Sequence, residues 1–210
     1  MASTSSLRDM TSTYQVTSDA LIGRTSELQT VSAKLIDPET QLLTLTGTAG
    51  VGKTSLALAA LGQLEAHFEQ AHFVGLSSVR QPDLVFTTIL REMGARERGA
   101  TPLTSLQAAL GERRHLLVLD NFEQVLAAAQ GLGELLDACP NVSALVTSRE
   151  PLRLGREMRF DLAPLALPEE TATYTLERLE AVPAVALFAR CAEAARASFR
   201  LTEANADAVV

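Results

Sequence analysis

Residues 41–64 read QLLTLTGTAGVGKTSLALAALGQL, and this stretch decides the fold. Its opening run QLLTLT combines apolar and β-branched side chains, which is typical of a buried strand. The segment from Ser55 to Phe68 is rich in Ala and Leu, which predicts a helix buried on most of its faces. A glycine-rich loop between such a strand and such a helix is the setting of a phosphate-binding loop.

The loop itself, Gly47–Thr54, matches the pattern G-x-x-x-x-G-K-[ST] in full. Glycines allow the backbone to curl around a phosphate because they tolerate positive φ and carry no Cβ. The curled backbone presents N–H donors, and the positive end of the following helix points at the same oxygens. We expect Lys53 to reach the β and γ phosphates and the Thr54 hydroxyl to bind Mg²⁺. The residues predicted to contact the phosphates are Gly47, Thr48, Ala49, Gly50, Val51, Gly52, Lys53, Thr54 and Ser55.

Strand and helix patterns alternate downstream of the loop, without the turn signals of a β-hairpin. Strands are predicted at residues 71–79, 115–120, 141–148 and 156–162, and helices at 21–37, at 82–94, at 104–114 and from 122 onward. Gly131 and Gly133 weaken the middle of the helix that begins at Phe122. The alternation implies an α/β fold of the P-loop NTPase type, with three layers (α/β/α) around a parallel sheet.

The same patterns divide the chain into three parts. Residues 1–19 are rich in Ser and Thr and lack periodicity, so we expect a flexible leader there. Residues 20–163 form the predicted nucleotide-binding α/β domain, and residues 164–210 form a proline-containing connector and the truncated start of a small helical subdomain. The apolar residues of one helical stripe in that last part are Val185, Phe188, Ala192, Ala195 and Phe199.

Two acidic residues lie at the end of the strand at 115–120 and just beyond it. Asp120 ends this strand, as in a Walker B motif, and is predicted to hold Mg²⁺ through a water together with Thr54; the alternative is an aspartate that caps the next helix. Asn121 follows and cannot act as a base, so Glu123 is the candidate that activates the attacking water. A solvated glutamate in the first helical turn explains Glu123 equally well, so we expect slow hydrolysis, or hydrolysis that depends on parts outside this chain.

One arginine follows the strand at 141–148. Arg149 lies at the end of the sheet where the ligand crevice is expected, and an arginine there can bind γ-phosphate oxygens and sense their presence. The alternative is a surface arginine paired with an acid such as Glu150. Lys53, Asp120, Glu123 and Arg149 are therefore the candidate catalytic residues.

Composition excludes several classes of function. The net charge of −7 gives no general attraction for nucleic acid, and no apolar run is long enough to cross a membrane. Cys139 and Cys191 stand far apart, so they indicate neither a disulfide framework nor a metal site and favour a reducing cytoplasm. We expect Cys191 to be a core residue and Cys139 to be structural or idle. The histidines, predicted to be solvated or at the edge of the core, are His67, His72 and His115.

The chain resembles the STAND NTPases, and more narrowly the NB-ARC-like ATPase domain of large bacterial regulators of the multidomain LuxR and SARP types. The segments that carry the resemblance are LIGR at 21–24, LLTLTGTAGVGKTSLAL at 42–58, LLVLDNFEQV at 116–125, LVTSREPLRL at 145–154 and LAPLALP at 162–168. The resemblance covers about residues 20–210, and the pairing of LDNFE with TSREPL is far more specific than the phosphate loop alone. Asn121 departs from the family pattern, which has a second acid there.

The resemblance implies a regulatory switch in which bound ADP keeps the protein closed, while ATP exchange and a signal promote self-association. It also makes Ile22, Gly23 and Arg24 candidates for contact with adenine, and it matches Arg149 to the family's sensor arginine. The chain ends before the GLPLA-type motif, the winged-helix region and the effector domain of the family. We therefore expect it to be part of a longer protein or a truncated gene product.

Three functions remain open at this point. The first is an Mg²⁺-dependent ATPase that controls an attached output, for example transcription. The second is a module that holds ATP or ADP as a structural ligand without turning it over. The third, which the acidic composition disfavours, is a nucleic-acid motor.

Overall fold

The fold is built on a five-stranded, fully parallel sheet in the order β2-β3-β4-β1-β5. A computed structural model of the chain describes residues 21–98, 100–169 and 174–209, so the predicted leader at 1–19 lies outside the described residues. The strands are β1 (Leu42–Thr46), β2 (Gln70–Gly75), β3 (His115–Asp120), β4 (Val142–Thr147) and β5 (Glu157–Asp161). All the strands predicted from sequence are present, with bounds that differ by a few residues.

Helices cover both faces of the sheet. The described helices are α1 (Thr25–Ile36), α2 (Lys53–Leu64), α3 (Leu84–Glu92), α4 (Pro102–Leu110), α5 (Ala129–Ala138), α6 (Leu176–Glu180), α7 (Pro183–Ala195) and α8 (Glu203–Ala206), with 3₁₀ segments at Glu65–His67 and Phe122–Ala128. The first two helices pack on one face, where Leu43 and Leu45 of β1 point. The next three pack on the other face, against Leu42 and Val146. The predicted three-layer α/β/α fold is confirmed.

The interior strands are mostly apolar because they are covered on both sides. Every residue of β1 and β3 is buried, including the polar residues at their carboxyl ends. β1 lies between β4 and β5, with Leu42 opposite both Ala144 and Glu157. The carboxyl ends of β1, β3 and β4 therefore meet at one edge of the sheet, which is where parallel α/β folds bind ligands.

The segment after β3 differs from the single helix predicted from Phe122. It begins as a 3₁₀ segment that breaks at Val125, where φ is −137° and ψ is 35°, and becomes α-helical only at Ala129. Gly131, expected to weaken the helix, lies inside α5 and permits close packing. A Cβ at this position would lie 2.7 Å from the Phe86 ring, so the glycine admits Phe86 of α3.

The helical region at 174–209 has a small core of its own around Leu179, Val185 and Leu201. Only part of the predicted stripe is buried there. Val185 is 2% exposed, whereas Phe188 is 48% exposed and meets Phe199 edge to face at 6.0 Å between ring centroids. The prediction that Cys191 is a core residue is wrong. Its thiol is exposed because this small cluster covers only one side of α7.

Two further sequence predictions concern cysteine and membrane insertion. Cys139 is buried at the end of α5 beside the main core and is unpaired, as expected for a structural thiol. Among the helices in the described part of the chain, none combines the length and the apolar character needed to cross a membrane. The domain boundary at residues 163 and 164 stays a prediction.

A pair of stacked histidines lies between β2 and β3. The rings of His72 and His115 are 5.7 Å apart between centroids and nearly parallel. His115 is 1% exposed, which corrects the prediction of a solvated or edge position, because β3 is an interior strand. Burial, together with the nearby charge of His115 in its protonated form, lowers the pKa of His72 to about 4. Burial likewise lowers the pKa of His115.

This pair predicts an acid-dependent loss of stability. The folded-state pKa of His72 lies below the ordinary value of 6.5, so the unfolded chain binds more protons as the pH falls from about 6.5 toward 4. The free energy of unfolding should therefore fall over that range. Urea unfolding of His72→Gln at pH 7.5 and 5.5 should show a smaller loss than the wild-type protein. The exposed His67, changed to Gln, is the control, and an unchanged pH dependence in His72→Gln would contradict the account.

Candidate functional site

The phosphate loop lies at the carboxyl end of β1, and α2 begins at Lys53 within it. Gly50 and Gly52 have φ of 77° and 102°, values that favour glycine, and the space where a Cβ would stand is open. Gly47, with φ of 148°, is constrained differently, because a Cβ there would lie 2.7 Å from the Leu162 carbonyl oxygen. The loop is thus open toward a ligand on one side and packed against the end of β5 on the other.

Lys53 carries the positive charge of the loop. Its ammonium nitrogen donates to the carbonyl oxygens of Gly47 and Thr48 at 2.8 and 2.9 Å, so the side chain folds back across the loop that it belongs to. Burial lowers the pKa of Lys53 from its ordinary value; Arg149 acts in the same direction, whereas Glu123 and Asp120 oppose it. These four side chains therefore share one electrostatic environment.

Asp120 joins the loop to two strands. Its Oδ1 accepts hydrogen bonds from the Thr54 hydroxyl at 2.8 Å and from the Thr147 hydroxyl at 2.6 Å. Thr147 in turn accepts a hydrogen bond from the Asn121 amide at 3.0 Å. Asp120 is 6% exposed. It thus contacts the loop residue that sequence analysis paired with it.

The donors at this corner fit Mg²⁺. A threonine hydroxyl and a carboxylate are the hard oxygen ligands that Mg²⁺ prefers, and this ion commonly binds to one or two carboxylates plus phosphate oxygens and water. No group of three or more His, Cys, Asp or Glu side chains suited to a metal occurs within residues 21–98, 100–169 and 174–209. An ion held here would accordingly rely on Thr54 and Asp120 with the ligand's own oxygens.

Glu123 and Arg149 form an ion pair, with 3.1 Å between Glu123 Oε1 and Arg149 Nε. The Glu123 side chain is only 10% exposed, so the alternative of a solvated glutamate is wrong. Its Oε2 is buried and has no hydrogen-bond partner among the described residues. Arg149 is 57% exposed and pairs with this acid rather than with Glu150. One carboxylate oxygen is therefore bound to the arginine and the other is unused.

A cavity of about 580 Å³ opens beside the first half of the loop. Its lining residues are Thr46, Gly47, Thr48, Ala49, Arg149, Pro151, Arg159 and Asp161. The Thr46 hydroxyl donates to the Asp161 carboxylate, which ties β5 to the strand that leads into the loop. The Lys53 ammonium group binds the carbonyls of Gly47 and Thr48, which line this cavity. The cavity therefore adjoins the part of the loop where the ammonium group lies.

Thr147, Arg159 and Asp161 belong to the site although the sequence analysis did not select them. Thr147 ends β4 at the edge of the sheet that holds the loop, but its bond to Asp120 depends on β3 and β4 being neighbours. Asp161 is opposite Thr46 in the register of β1 and β5. Which strands are neighbours cannot be predicted from one sequence. The polar residue at the end of each strand could, however, have marked these residues as candidates for the site.

Residues 22–24 lie at the start of α1. Ile22 is half-buried, and Gly23 has φ of 68° and packs so closely that a Cβ would lie 2.5 Å from Pro183. Arg24 is 6% exposed, and its guanidinium donates to Glu27 Oε1 at 2.7 Å and to the Ala163 and Val51 carbonyls at 2.6 and 3.3 Å. The contact of these residues with adenine stays a prediction.

The sheet brings most of the predicted residues together. Thr54 touches Asp120 directly, Glu123 touches Arg149, and all of them lie at the edge that holds the loop. Ser55 is exposed in the first turn of α2. A parallel sheet with this loop and this acid defines a P-loop nucleotide-binding domain.

Comparison with known proteins gives the family. The profile of the NB-ARC domain matches residues 24–150, which is more than half of the chain. The chain therefore belongs to the NB-ARC family, and the resemblance found in the sequence is confirmed. In the solved structure of the Aeropyrum pernix ORC2 protein (ADPNP-ADP complexes), 67% of this chain superposes on 48% of that chain, with a TM-score of 0.51 and 17% identity. This likeness supports the fold.

The relatives are much longer proteins. An HTH-type transcriptional regulator of Mycobacterium tuberculosis is 35% identical over 173 residues, which are 81% of this chain and 18% of the regulator. Regulatory protein AfsR of Streptomyces griseus is 31% identical over 140 residues, 60% of this chain and 14% of AfsR. A disease resistance protein of Arabidopsis thaliana is 31% identical over 147 residues, which are 70% of this chain and 8% of that protein. The chain thus spans less than a fifth of each.

Two glycine substitutions should have opposite effects on stability. Gly47→Ala places a Cβ against the Leu162 carbonyl and should lower the free energy of unfolding by about 1–3 kcal/mol. Gly62→Ala, at an exposed position inside α2 with open space around it, should raise it by about 0.5–1 kcal/mol. Chemical denaturation of both variants checks the sign, and a neutral Gly47→Ala would refute the packing of the loop against β5.

Proposed function

We propose that this chain is the ATP- and ADP-binding switch domain of a larger cytoplasmic regulator, with slow Mg²⁺-dependent hydrolysis of ATP. The observation that carries the proposal is the hydrogen bond of 2.8 Å between Thr54 of the phosphate loop and Asp120 of β3. It joins two residues 66 positions apart in the sequence into one oxygen-lined corner beside Lys53. This combination suits a polyphosphate with a divalent cation.

Each side chain has a defined task in this proposal. Bound Mg²⁺ would neutralise charge on the phosphate oxygens and would be held by Thr54 and Asp120. The loop amides and the Lys53 ammonium bind the phosphates, since fixed donors and a full positive charge complement a polyanion. Arg149 is exposed enough to turn toward a γ-phosphate.

Slow turnover follows from the state of Glu123. A glutamate that activates water needs a free carboxylate oxygen that water can reach. Glu123 Oε1 is bound to Arg149 and lies 3.5 Å from the side-chain nitrogen of Asn121, and the unpartnered Oε2 is buried. Asn121 occupies the position next to Asp120 and cannot accept the proton. Glu123 therefore acts as a base only when Arg149 has another partner, and a γ-phosphate is such a partner.

Adenine recognition and self-association extend the proposal beyond the phosphates. The family resemblance assigns the base to the region of Ile22 and Gly23. This region is joined to the loop by the hydrogen bond from Arg24 to the Val51 carbonyl. The named regulators that the chain resembles support an output in transcription or signalling through domains outside this chain. Self-association would use the nucleotide domain.

Phosphate release tests the enzymatic part. Wild-type protein with Mg²⁺ and ATP should turn over on the order of 10⁻² s⁻¹ or more slowly, as P-loop switches do without assistance. Lys53→Ala should lose this rate because phosphate binding is lost, and Glu123→Gln should lose it while still binding ATP. A wild-type rate no higher than that of Lys53→Ala would leave a non-hydrolysing module that uses the nucleotide structurally. Stimulation by DNA would instead indicate a motor.

The identity of the base is tested by the nucleotide that the protein selects. Equimolar ADP and GDP are added to the protein, unbound material is removed, and the retained nucleotide is identified by mass after denaturation. Adenine should be retained in large excess. Retention of guanine would overturn the adenine assignment, and Lys53→Ala, which should retain neither, is the control for non-specific carry-over.

A further inference from the structure

The buried guanidinium of Arg24 contacts two segments that the site brings together. Its Nη2 donates to the Ala163 carbonyl at 2.6 Å and to the Val51 carbonyl at 3.3 Å, while its Nη1 donates to Glu27. Ala163 follows β5 and immediately precedes the predicted connector, and Val51 lies in the phosphate loop between two glycines of positive φ. A side chain only 7% exposed thus joins the loop to the connector.

The charge of Arg24 is locally balanced. Glu27 is one turn along α1. Burial raises its pKa, but hydrogen bonds from Arg24, Ser26 and the backbone together with the charge of Arg24 outweigh burial, so that the pKa of Glu27 is lowered. Glu27 thereby holds one edge of the guanidinium and directs the other edge at the two carbonyls. Arginine suits this task because its planar donors act in fixed directions, which an ammonium group cannot reproduce.

The contact with Val51 has a geometric consequence for the loop. A trans peptide is planar, and its C=O and N–H point in opposite directions. Holding the Val51 oxygen against Arg24 therefore turns the amide of Gly52 to the opposite side. Gly52 has φ of 102°, and the space where a Cβ would stand there is open.

The contact with Ala163 leads to the helical region. Leu162 donates from its amide to the Thr46 carbonyl at 2.8 Å, so the residues that lead from β5 into the connector lie against the base of the loop. Farther along, the Ala184 amide donates to the Ala166 carbonyl at 3.3 Å. Gly23, the neighbour of Arg24, packs on Pro183, the first residue of α7. A continuous set of contacts therefore runs from the loop through Arg24 to α7.

We propose that Arg24 is a positioning residue that aims the Gly52 amide at the bound phosphates and couples the loop to the connector and α7. The inference rests on the proposed function, since it assumes that the loop binds phosphate. It assigns the Arg24 side chain to the protein's own carbonyls rather than to the base. Phosphate binding would then be transmitted to the helical region through one guanidinium.

Calorimetric titration with two ligands separates this role from a contact with the base. Mg²⁺·ADP carries a base and inorganic tripolyphosphate with Mg²⁺ does not. Arg24→Met should weaken the binding of both by the same factor, about tenfold or more, as expected when a hydrogen bond to a charged group is lost. Arg24→Lys should recover part of the affinity. Arg91→Met is the matched control, because Arg91 is 73% exposed on α3 and pairs with its neighbour Glu92.

The outcomes are distinct. Weaker ADP binding with unchanged tripolyphosphate binding would mean a base contact and would overturn the proposal. A lower Tm with both affinities unchanged would mean a structural brace and would also overturn it. If Arg24→Met does not fold, Arg24→Lys must show the parallel loss, and wild-type affinities in that variant would refute the role. Failure of the wild-type protein to bind either ligand would contradict the proposed function itself.

Hydrogen exchange tests the coupling to the connector. In the wild-type protein, saturating ADP should slow amide exchange in residues 162–169. In Arg24→Met, equally saturated with ADP, exchange there should remain as fast as in the nucleotide-free protein. Equal protection of this segment in both proteins would show that the loop and the connector communicate without Arg24.

Discussion

The hydrogen bonds that Asp120 accepts from Thr54 and Thr147 connect the three segments on which the site depends. One carboxylate oxygen of Asp120, a residue that is 6% exposed, holds the loop after β1 against the ends of β3 and β4. A buried carboxylate is costly unless its oxygens are paired, so the two hydroxyls stabilise the charge as well as the geometry. The oxygens of Thr54 and Asp120 also suit a magnesium ion. The contact that holds the loop against the sheet is therefore also the place suited to the ion.

Charged side chains around the loop are paired within the protein, and a bound polyphosphate would change these pairs. Lys53 is bound by carbonyls of its own loop, and Arg149 and Glu123 are bound to each other, so each charge has a partner within the protein. A polyphosphate would compete for both cations. Its arrival would release Glu123 from Arg149, and the carboxylate would gain the freedom that water activation requires. Binding and catalytic competence are linked in this account through the exchange of one ion pair.

Local patterns in the sequence were sufficient to predict the phosphate loop and the fold. The pattern Gly47–Thr54 carries its chemistry in consecutive residues, and the rule that parallel strands end at one edge was enough to pair Thr54 with Asp120. Contacts that depend on strand order were not predictable in the same way. Thr147 and Asp161 joined the site only because β3 lies beside β4 and β1 beside β5.

The burial of side chains and their partners far away in the sequence also could not be predicted from the sequence. Arg24 reaches Ala163 across 139 positions, and no pattern near residue 24 signals that contact. Cys191 follows a helical stripe that predicted a core, yet the described helices around it cover little of α7. The break at Val125 was missed for a similar reason, because the apolar spacing from Phe122 is helical although the backbone there is not.

The central claim is that loop amides and Lys53 bind a nucleoside polyphosphate beside magnesium. Isothermal calorimetry with purified, folded wild-type protein and ADP, with and without Mg²⁺, tests it most directly. We expect saturable binding of one nucleotide per chain, which Lys53→Ala abolishes while the circular dichroism spectrum of that variant stays native. Absence of binding heat for every nucleoside di- and triphosphate over a range of temperatures would contradict it.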